Sequence, residues 1–362
     1  MKKLLLIGGG HSHLHVVKRM QQHPLKDVKV TLISPSKYQY YSGMFSGYTV
    51  GLYSQDDMRI NLQRLAESAN INWIEGAVLS MDPNQKVALT DGGEVINFDA
   101  ASFDIGSMTA GVDKIGAASN VHTIKPNYKF IETIDSVRKS SQVVIAGGGA
   151  AGIELSASLT AWRNRNGFTT PVTLITAGSL LNQKSDKVSK AIENELLKLN
   201  INLRTHEEIT SIDHHSAKLS SGGALYFDEL IWLTGPKAPD LFRLSKLPVD
   251  AKGYLLIEDT LQVKKYPYIF GAGDCASMVH YPGLDKTGVY AVRQGPILYE
   301  NIKGFFENGE GLLYKPQRRY LSILSMGNKR GFAIYGNRYN AGKPAWFLKN
   351  QIDTRFVNQY NR

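Results

Sequence analysis

The sequence contains two glycine-rich turns, each placed between a short apolar run and a segment of helical periodicity. The first turn, with Gly8 and Gly10, follows an apolar run close to the start of the chain. The second turn, with Gly147, Gly149 and Gly152, follows a similar run about 140 positions later. A strand, a glycine turn and a helix form the unit whose backbone N–H groups bind a dinucleotide pyrophosphate. The chain is therefore expected to bind two dinucleotides.

The stretches that follow the two turns repeat one plan. Each contains a second apolar strand, a short antiparallel section with a Gly-Gly turn, and a return strand that ends at glycine, Gly106 in the first half and Gly235 in the second. We therefore predict an α/β fold with two Rossmann-like domains, one inserted in the other, and a C-terminal capping region. The predicted boundaries are residues 1–107 with 241–300 for the first domain, 108–240 for the second, and 301–362 for the cap.

Two features depart from the usual dinucleotide fingerprint. His13 stands at the third glycine position of the first turn, where a small residue normally allows close packing of helix and strand. The acid expected at the end of the second strand is replaced by Ser34 and Pro35 in the first half, and by the Thr-Ala-Gly of residues 176–178 in the second. With neither that acid nor an adjacent arginine, the choice between NADH and NADPH stays open.

A third element is the apolar strand that ends at Gly273 and Asp274. A carboxylate beside a glycine can bind a polyol hydroxyl without an obstructing side chain; an ordinary strand-to-turn Gly-Asp pair is the alternative. Two glycine turns followed by this pair resemble the pyridine nucleotide–disulfide oxidoreductase superfamily over residues 3–298. The resemblance implies FAD at the first turn and at Asp274, and NADH or NADPH at the second turn.

Composition excludes several classes of protein. Apolar residues make up 43% of the 362 residues and charged residues 20%, which is typical of a globular protein. No run approaches the ~18 apolar residues of a membrane-spanning helix, and no export signal is recognised, so a cytoplasmic location is expected. The single cysteine, Cys275, excludes an internal disulfide and a Cys-x-x-Cys redox pair, which separates the chain from disulfide reductases and sulfide:quinone reductases.

The three histidines at positions 11, 13 and 15 suggest a metal site at first sight. His11 and His15 share a helix face, but His13 points elsewhere, and the positive end of a helix disfavours cations. We therefore predict no metal, and expect imidazole packing and hydrogen bonding around the FAD pyrophosphate instead.

Positive charge is concentrated near the C-terminus. Residues 301–362 carry eleven Lys and Arg against three Asp and Glu, which is +8 of the net +10, together with eleven aromatic residues. A predicted amphipathic helix lies there, with Lys349 and Arg355 between its apolar residues Trp346, Phe347, Leu348, Ile352, Phe356 and Val357. It either lies in an anionic membrane interface or packs its apolar face on the first domain. No nucleic-acid partner is expected.

Further segments resemble one subfamily, the type II NADH dehydrogenase-like oxidoreductase that also occurs fused in front of selenide, water dikinase. The matching segments are residues 8–13, 34–38, 41–44, 288–296, 315–322, 346–349 and 352–353. For FAD, the resemblance implies Gly8, Gly10, His11, His13, Ser34, Pro35, Lys37, Tyr41, Ser42, Gly43, Met44, Val78, Gly106, Gly273, Asp274, Gly288, Val289 and Tyr290. For NAD(P)H it implies Gly147, Gly149, Ala150, Gly152, Glu154 and Gly235, and for the acceptor side Arg293 and Gln294.

This resemblance implies an FAD-dependent enzyme that transfers a hydride from NAD(P)H to FAD and then passes electrons to an acceptor, with a quinone as the leading candidate. Hydride transfer needs positioning more than a side-chain acid or base, so no catalytic acid is assigned. Peripheral attachment to the cytoplasmic face of a membrane and a homodimer are further expectations. The alternatives are a soluble acceptor, with a link to selenium metabolism, and a flavin-bound sensor without turnover; the complete second turn and Glu154 count against the sensor.

Overall fold

The two halves of the sequence fold into two sheets with parallel central strands, and the computed structural model describes residues 1–112 and 118–361. The first segment forms β1 (Lys2–Ile7), α1 (His11–Gln22), β2 (Val28–Ser34), β3 (Tyr38–Tyr40), α2 (Phe45–Thr49), α3 (Gln55–Met58), β4 (Arg59–Asn61), α4 (Leu62–Ser68), β5 (Asn72–Glu75), β6 (Val78–Asp82), β7 (Val87–Thr90), β8 (Val95–Asn97), β9 (Ala100–Phe103) and β10 (Met108–Thr109).

From its second strand onward, the second segment repeats the plan of the first: a strand, a helix, a second strand and a short antiparallel section. It forms β11 (Val121–His122), α5 (Phe130–Lys139), β12 (Val143–Ala146), α6 (Ala150–Arg165), β13 (Thr173–Thr176), α7 (Asp186–Lys198), β14 (Asn202–Thr205), β15 (Ile209–Asp213), β16 (Ser216–Leu219), β17 (Ala224–Tyr226), β18 (Glu229–Trp232) and β19 (Pro236–Lys237).

The last segment completes the first sheet and adds a cap. It forms α8 (Leu241–Leu244), β20 (Leu255–Ile257), β21 (Gln262–Val263), β22 (Tyr266–Gly271), β23 (Ala276–Met278), α9 (Gly288–Glu307), β24 (Leu321–Ser325), β25 (Gly331–Tyr335), β26 (Arg338–Gly342) and α10 (Lys343–Asn361).

The first sheet is built around β1. Strands β5, β2, β1, β9 and β22 lie side by side in parallel, and β21, β20 and β23 extend the edge beyond β22. Residues 4–7 of β1 are buried on both faces, as expected for a parallel strand that is covered by helices. Helix α1 packs on α9, where Ser12 Oγ donates to the carbonyl oxygen of Ala291 at 2.7 Å.

The second sheet has the order β14-β13-β12-β18-β11, and all its pairs are parallel. Its strands come from the chain between β9 and β20 of the first sheet, so the second unit is inserted in the first. The chain leaves and returns through β10 and β19, which pair in antiparallel register with Met108 opposite Lys237. The predicted fold class is confirmed; the residue boundaries at 107/108 and 240/241 remain a prediction.

Local structure after β2 differs from what the residue pattern favours. The spacing of apolar residues in 59–69 favours a helix over the whole stretch, but residues 59–61 form β4, which pairs with β3. The helix starts only after Asn61, whose side-chain oxygen accepts the backbone N–H of Arg64 at 2.9 Å and caps α4. Residues 34–53 have no strong period, which favours a loop, but the segment contains β3 and α2 because the pairing of β3 with β4 fixes its start.

The cap is an antiparallel sheet of β24, β25 and β26 against which α10 packs. The predicted C-terminal helix is confirmed, and its apolar residues divide into two sets. Trp346, Phe356 and Val357 are buried, whereas Phe347, Leu348 and Ile352 are exposed. The helix therefore packs on the protein and still presents an apolar strip to its surroundings.

The two glycine turns have the same backbone path. Gly8 and Gly147 both adopt positive φ, +91° and +131°, and each passes so close to the carbonyl of a neighbouring strand end that a Cβ would lie within 2.5 Å of it. At the third position, a Cβ on Gly152 would lie 1.9 Å from the oxygen of Gly147. This is the close helix–strand approach for which the third glycine is required.

His13 occupies the same position in the first turn and is fully buried. Its Nδ1 lies 2.6 Å from the oxygen of Gly8, and its Nε2 lies 2.8 Å from Ser102 Oγ. A carbonyl oxygen only accepts, so Nδ1 holds the proton, and burial lowers the pKa of His13 to about 4, which keeps the ring neutral. Because His13 carries a Cβ of its own, α1 cannot approach the first turn as closely as α6 approaches the second, and the imidazole spans this gap by hydrogen bonding to the carbonyl of Gly8.

We expect Gly152→Ala to lower the free energy of unfolding by about 2 kcal/mol, because the added methyl group overpacks the helix–strand contact. Gly149→Ala is the matched control, since its Cβ would meet no atom within 4 Å. Urea unfolding followed by circular dichroism measures both. Equal losses for the two variants would contradict the assigned role of Gly152.

Candidate active site

The carboxyl ends of both parallel sheets open into one cavity of about 1890 Å³, here called the central cavity. This edge is where ligands bind in open parallel sheets. The cap closes another side of the cavity with residues from β24, β25 and α10. The wall contains these sequence-predicted residues: Gly8, Gly10, His11, Ser34, Pro35, Tyr41, Ser42, Gly43, Val78, Gly106, Gly147, Gly149, Ala150, Glu154, Gly235, Asp274, Gly288, Val289 and Arg293.

Seven sequence-predicted residues lie outside this wall: His13, Lys37, Met44, Gly152, Gly273, Tyr290 and Gln294. Met44 is fully buried in the core, and Tyr290 packs edge-on against Tyr320. Gln294 is also buried, and its Oε1 accepts the backbone N–H of Gly273 at 2.7 Å. Met44, Tyr290 and Gln294 therefore lie behind the wall. Gln294 in particular holds the turn before Asp274 and does not face the cavity.

The wall leaves room for a phosphate group at the second turn. A Cβ added to Gly106, Gly149 or Gly235 would project into open space, with no atom within 4 Å. Gly149 is also the N-cap of α6, so the free N–H groups at the positive end of this helix begin at the cavity. These features fit a dinucleotide with its pyrophosphate at the start of α6.

The first turn has an additional acidic residue that the sequence analysis missed. Asp104 follows β9 and lines the cavity, and its Oδ2 accepts the backbone N–H groups of Ser12 and His13 at 2.7 and 2.9 Å. Burial raises the pKa of Asp104 to about 7, although these two hydrogen bonds oppose the rise. An acid directly after an apolar strand and before Gly106 was the signal in the sequence.

Asp274 faces the cavity together with two lysines that the sequence analysis also missed. Lys125 Nζ lies 3.8 Å from the Asp274 carboxylate and 2.5 Å from Ser107 Oγ. Burial raises the pKa of Asp274 above its ordinary value, and the positive charges of Lys125 and Lys286 limit the rise. The wall can therefore hold a polyol and a phosphate at once, through a carboxylate acceptor and ammonium donors.

A buried polar cluster, formed by Tyr41, Glu154, Lys349 and Asp353 and here called the Lys349 cluster, joins three parts of the chain. Lys349 Nζ donates to Asp353 Oδ2 at 2.7 Å and lies 3.9 Å from Glu154 Oε1. Tyr41 OH donates to Asp353 Oδ1 at 3.2 Å. Glu154 Oε1 also accepts the backbone N–H of Ser325 in β24 at 2.7 Å.

The single ammonium of the Lys349 cluster lies between two carboxylates and partly offsets their charge. Burial raises the pKa of Glu154 and of Asp353, and the Lys349 ammonium opposes the rise in both. Burial alone would lower the pKa of Lys349, but the two carboxylates hold it above its ordinary value. The sequence pattern pairs Lys349 with Arg355 as the basic residues of the predicted amphipathic helix, but the Lys349 side chain is only 11% exposed and points inward.

Aromatic rings connect the first turn to the cap. Tyr41 stacks on Phe356 of α10 with a centroid distance of 4.5 Å, and the His11 ring lies 5.1 Å from the same phenylalanine. Burial lowers the pKa of His11 to about 4. Within residues 1–112 and 118–361, no group of three or more His, Cys, Asp or Glu side chains is arranged to hold a metal.

Two other observations concern the reactivity of Cys275 and membrane-spanning helices. Cys275 is fully buried, and burial raises the pKa of its thiol to about 12, so it is not poised as a nucleophile. In the part of the chain that the structure describes, no helix is both long enough and apolar enough to cross a membrane.

Comparisons with known proteins agree with this geometry. The chain is 25% identical to the NADH dehydrogenase-like protein YutJ of Bacillus subtilis, over 97% of this chain and 98% of that protein. It is 24% identical to the type II NADH:quinone oxidoreductase of Staphylococcus saprophyticus, over 98% and 95% of the two chains. Its fold matches the structure of NDH2 from Plasmodium falciparum in complex with NADH, with a TM-score of 0.81, 15% identity, and coverage of 100% and 99%.

The sequence of residues 2–295 matches the pyridine nucleotide-disulphide oxidoreductase family. That match spans both glycine turns, the Gly-Asp strand end and the start of α9, which are the elements that form the wall of the central cavity. The chain belongs to the pyridine nucleotide-disulphide oxidoreductase family and is, with that family, an FAD-dependent oxidoreductase whose electron donor is a pyridine nucleotide.

Proposed function

We propose that this enzyme is an NAD(P)H:quinone oxidoreductase of the type II NADH dehydrogenase kind. The observation that carries the proposal is that both nucleotide turns open into one cavity whose far wall is formed by the cap. The relatives named NADH dehydrogenase-like protein and type II NADH:quinone oxidoreductase align over almost the whole chain. When bound, FAD accepts a hydride from NAD(P)H and passes the electrons on to the acceptor.

The first turn, Asp274 and the start of α9 would hold FAD. The N-cap of α9 is Thr287, and the first residue of this helix, Gly288, lines the cavity, so the positive helix end favours negative charge in the ligand there. Lys125 adds a cation beside Asp274 at 3.8 Å. Tyr41 borders the same space and is fixed by its hydrogen bond to Asp353.

The second turn and Glu154 would hold NAD(P)H. Glu154 lies in α6 one turn after Gly149, and its carboxylate is fixed by the backbone N–H of Ser325 and the ammonium of Lys349. This arrangement ties the nucleotide helix to the cap. The residue therefore acts by positioning: it fixes how far the cap stands from the donor site.

The acceptor would enter beside the cap. Leu321, Ile323, Ile352 and Phe356 form an apolar part of the cavity wall, and Arg293 lines the same cavity. Leu321 and Ile352 are also exposed to the surroundings, at 42% and 48%. An apolar opening fits a quinone, which has an apolar ring and two carbonyl acceptors.

We infer that this opening faces a membrane surface. Phe347 and Leu348 are 59% and 42% exposed on α10, beside the opening at Ile352. Residues 301–362 add the net charge of +8 found in the sequence. An exposed apolar strip on a basic segment is the surface that binds at an anionic bilayer interface. The homodimer expected from the sequence stays a prediction.

We expect the purified chain to be yellow with bound FAD, and anaerobic NADH to bleach the visible flavin absorbance at about one equivalent. Stopped-flow absorbance measures the rate. A flavin that stays oxidised with both NADH and NADPH would support the sensor alternative and contradict the proposed enzyme.

We expect Glu154→Gln to slow flavin reduction by NADH about tenfold or more, because it removes a charged acceptor that fixes the cap, while FAD stays bound. Ser46→Ala is the matched control, because Ser46 makes only a 3.5 Å contact with Glu154 and should change the rate about twofold at most. The flavin-to-protein absorbance ratio checks occupancy. An unchanged rate of flavin reduction in Glu154→Gln would contradict the assignment of Glu154 to the donor site.

We expect the double variant Phe347→Ser, Leu348→Ser to lose most of its binding to anionic liposomes and to reduce a membrane-embedded quinone more slowly. Ferricyanide reduction should not change, because neither residue lines the cavity. Leu197→Ser, which alters an apolar residue that is 53% exposed on α7, is the control and should bind liposomes normally. Full liposome binding by the double variant would contradict the assigned role of this apolar strip.

A further inference from the structure

Strand β13 ends without the acid that normally holds the adenosine ribose of a pyridine nucleotide. Residues 176–178 are Thr-Ala-Gly, and all three line the central cavity. In the dinucleotide fold a carboxylate at this point accepts hydrogen bonds from the ribose 2′-hydroxyl and repels a 2′-phosphate. A group from elsewhere in the chain must supply this function if the enzyme distinguishes NADH from NADPH.

The neighbouring strand brings a carboxylate to this place. β14 runs parallel to β13 with Thr205 opposite Thr176, so the two strands end side by side. Two residues after Thr205, the backbone N–H of Glu207 donates to the carbonyl oxygen of Thr176 at 3.1 Å. Glu207 also lines the central cavity. Its position next to the end of β13 therefore results from sheet pairing and cannot be seen in the spacing of the sequence.

The Glu207 carboxylate is held in a defined position. Its Oε1 accepts from Ser221 Oγ at 2.5 Å, and its Oε2 lies 3.4 Å from Arg204 Nη1. The side chain is only 16% exposed. A carboxylate offers about four acceptor sites, so two remain for a ligand in the cavity.

We propose that Glu207 takes the role of the missing strand-end acid. It accepts hydrogen bonds from the ribose hydroxyls of the adenosine half and so selects NADH over NADPH. The proposal rests on the NAD(P)H site proposed above and adds the residue that decides between the two donors. It also explains how the second turn can be complete while the acid that usually accompanies it is absent.

The other charges near Glu207 agree with this role. Arg204, which could attract a 2′-phosphate, is already paired with Glu207. Lys184 lines the cavity too, but its ammonium lies over the ring of Tyr320, 5.3 Å from the centroid, at the cap. Glu208 also lines the cavity. Removing the Glu207 charge would leave the Arg204 guanidinium, 3.4 Å from that carboxylate, without this partner.

The test is direct binding of ADP-ribose and of 2′-phospho-ADP-ribose to the flavin-loaded enzyme, measured by titration calorimetry. We expect the unaltered enzyme to prefer ADP-ribose about tenfold or more. Glu207→Gln should bind ADP-ribose about tenfold more weakly and should bind the phosphorylated ligand more tightly than the unaltered enzyme does. The ratio of kcat/KM for NADH and NADPH should shift in the same direction.

Two variants separate this role from a general loss of charge. Glu208→Gln changes the neighbouring carboxylate and should keep the preference for ADP-ribose. Arg204→Gln combined with Glu207→Gln should retain the loss for ADP-ribose but not the gain for the phosphorylated ligand. A preference that is unchanged in Glu207→Gln, or lost in Glu208→Gln alone, would overturn the proposal.

The outcome also separates this proposal from the function on which it rests. If the unaltered enzyme binds ADP-ribose and NADH reduces its flavin, but Glu207→Gln behaves identically, only the role of Glu207 is wrong. If the unaltered enzyme binds neither ligand and neither donor reduces the flavin, the NAD(P)H site itself is wrong.

Discussion

One buried ammonium group, that of Lys349, holds the three parts of the molecule together. It donates to the carbonyl oxygen of Gly43 and to Asp353, and it lies 3.9 Å from Glu154. Gly43 belongs to the first domain, Glu154 to the second and Lys349 to the cap. Because an unpaired charge in such a site is costly, these contacts favour the arrangement in which the cap lies against both other parts. Lys349 and Asp353 also line the central cavity on its cap side.

The same arrangement connects donor and acceptor sides. Glu154, in helix α6, accepts a hydrogen bond from the backbone N–H of Ser325 in the cap. Tyr41, in the first domain, donates a hydrogen bond to Asp353 of the cap. Each bond crosses a boundary between parts of the chain. The positions of the two nucleotide sites and of the cap are thus set by polar contacts with defined directions, whereas apolar packing of Tyr41 on Phe356 adds area without such direction.

The two halves share one strand–turn–helix plan, and they differ where single residues at corresponding positions differ. Gly8 and Gly147 both have positive φ, and both lie close to the carbonyl at the end of a neighbouring strand. The first half then uses His13 where the second uses Gly152, and it places Asp104 against the start of α1. In the second half the start of α6 is open to the cavity at Gly149. One backbone plan therefore supports two different ligand environments.

Sequence alone determined the two glycine turns, the Gly-Asp strand end and the C-terminal helix, because each depends on residues that are neighbours in the chain. Most of the predicted site residues line one cavity for the same reason: they follow strands whose carboxyl ends share an edge. Tertiary structure alone decided the partners of Lys349, the lysine beside Asp274 and the place of Glu207. These contacts join residues on different strands and helices, and no local period or spacing in a sequence specifies which distant carboxylate an ammonium or a ribose will meet.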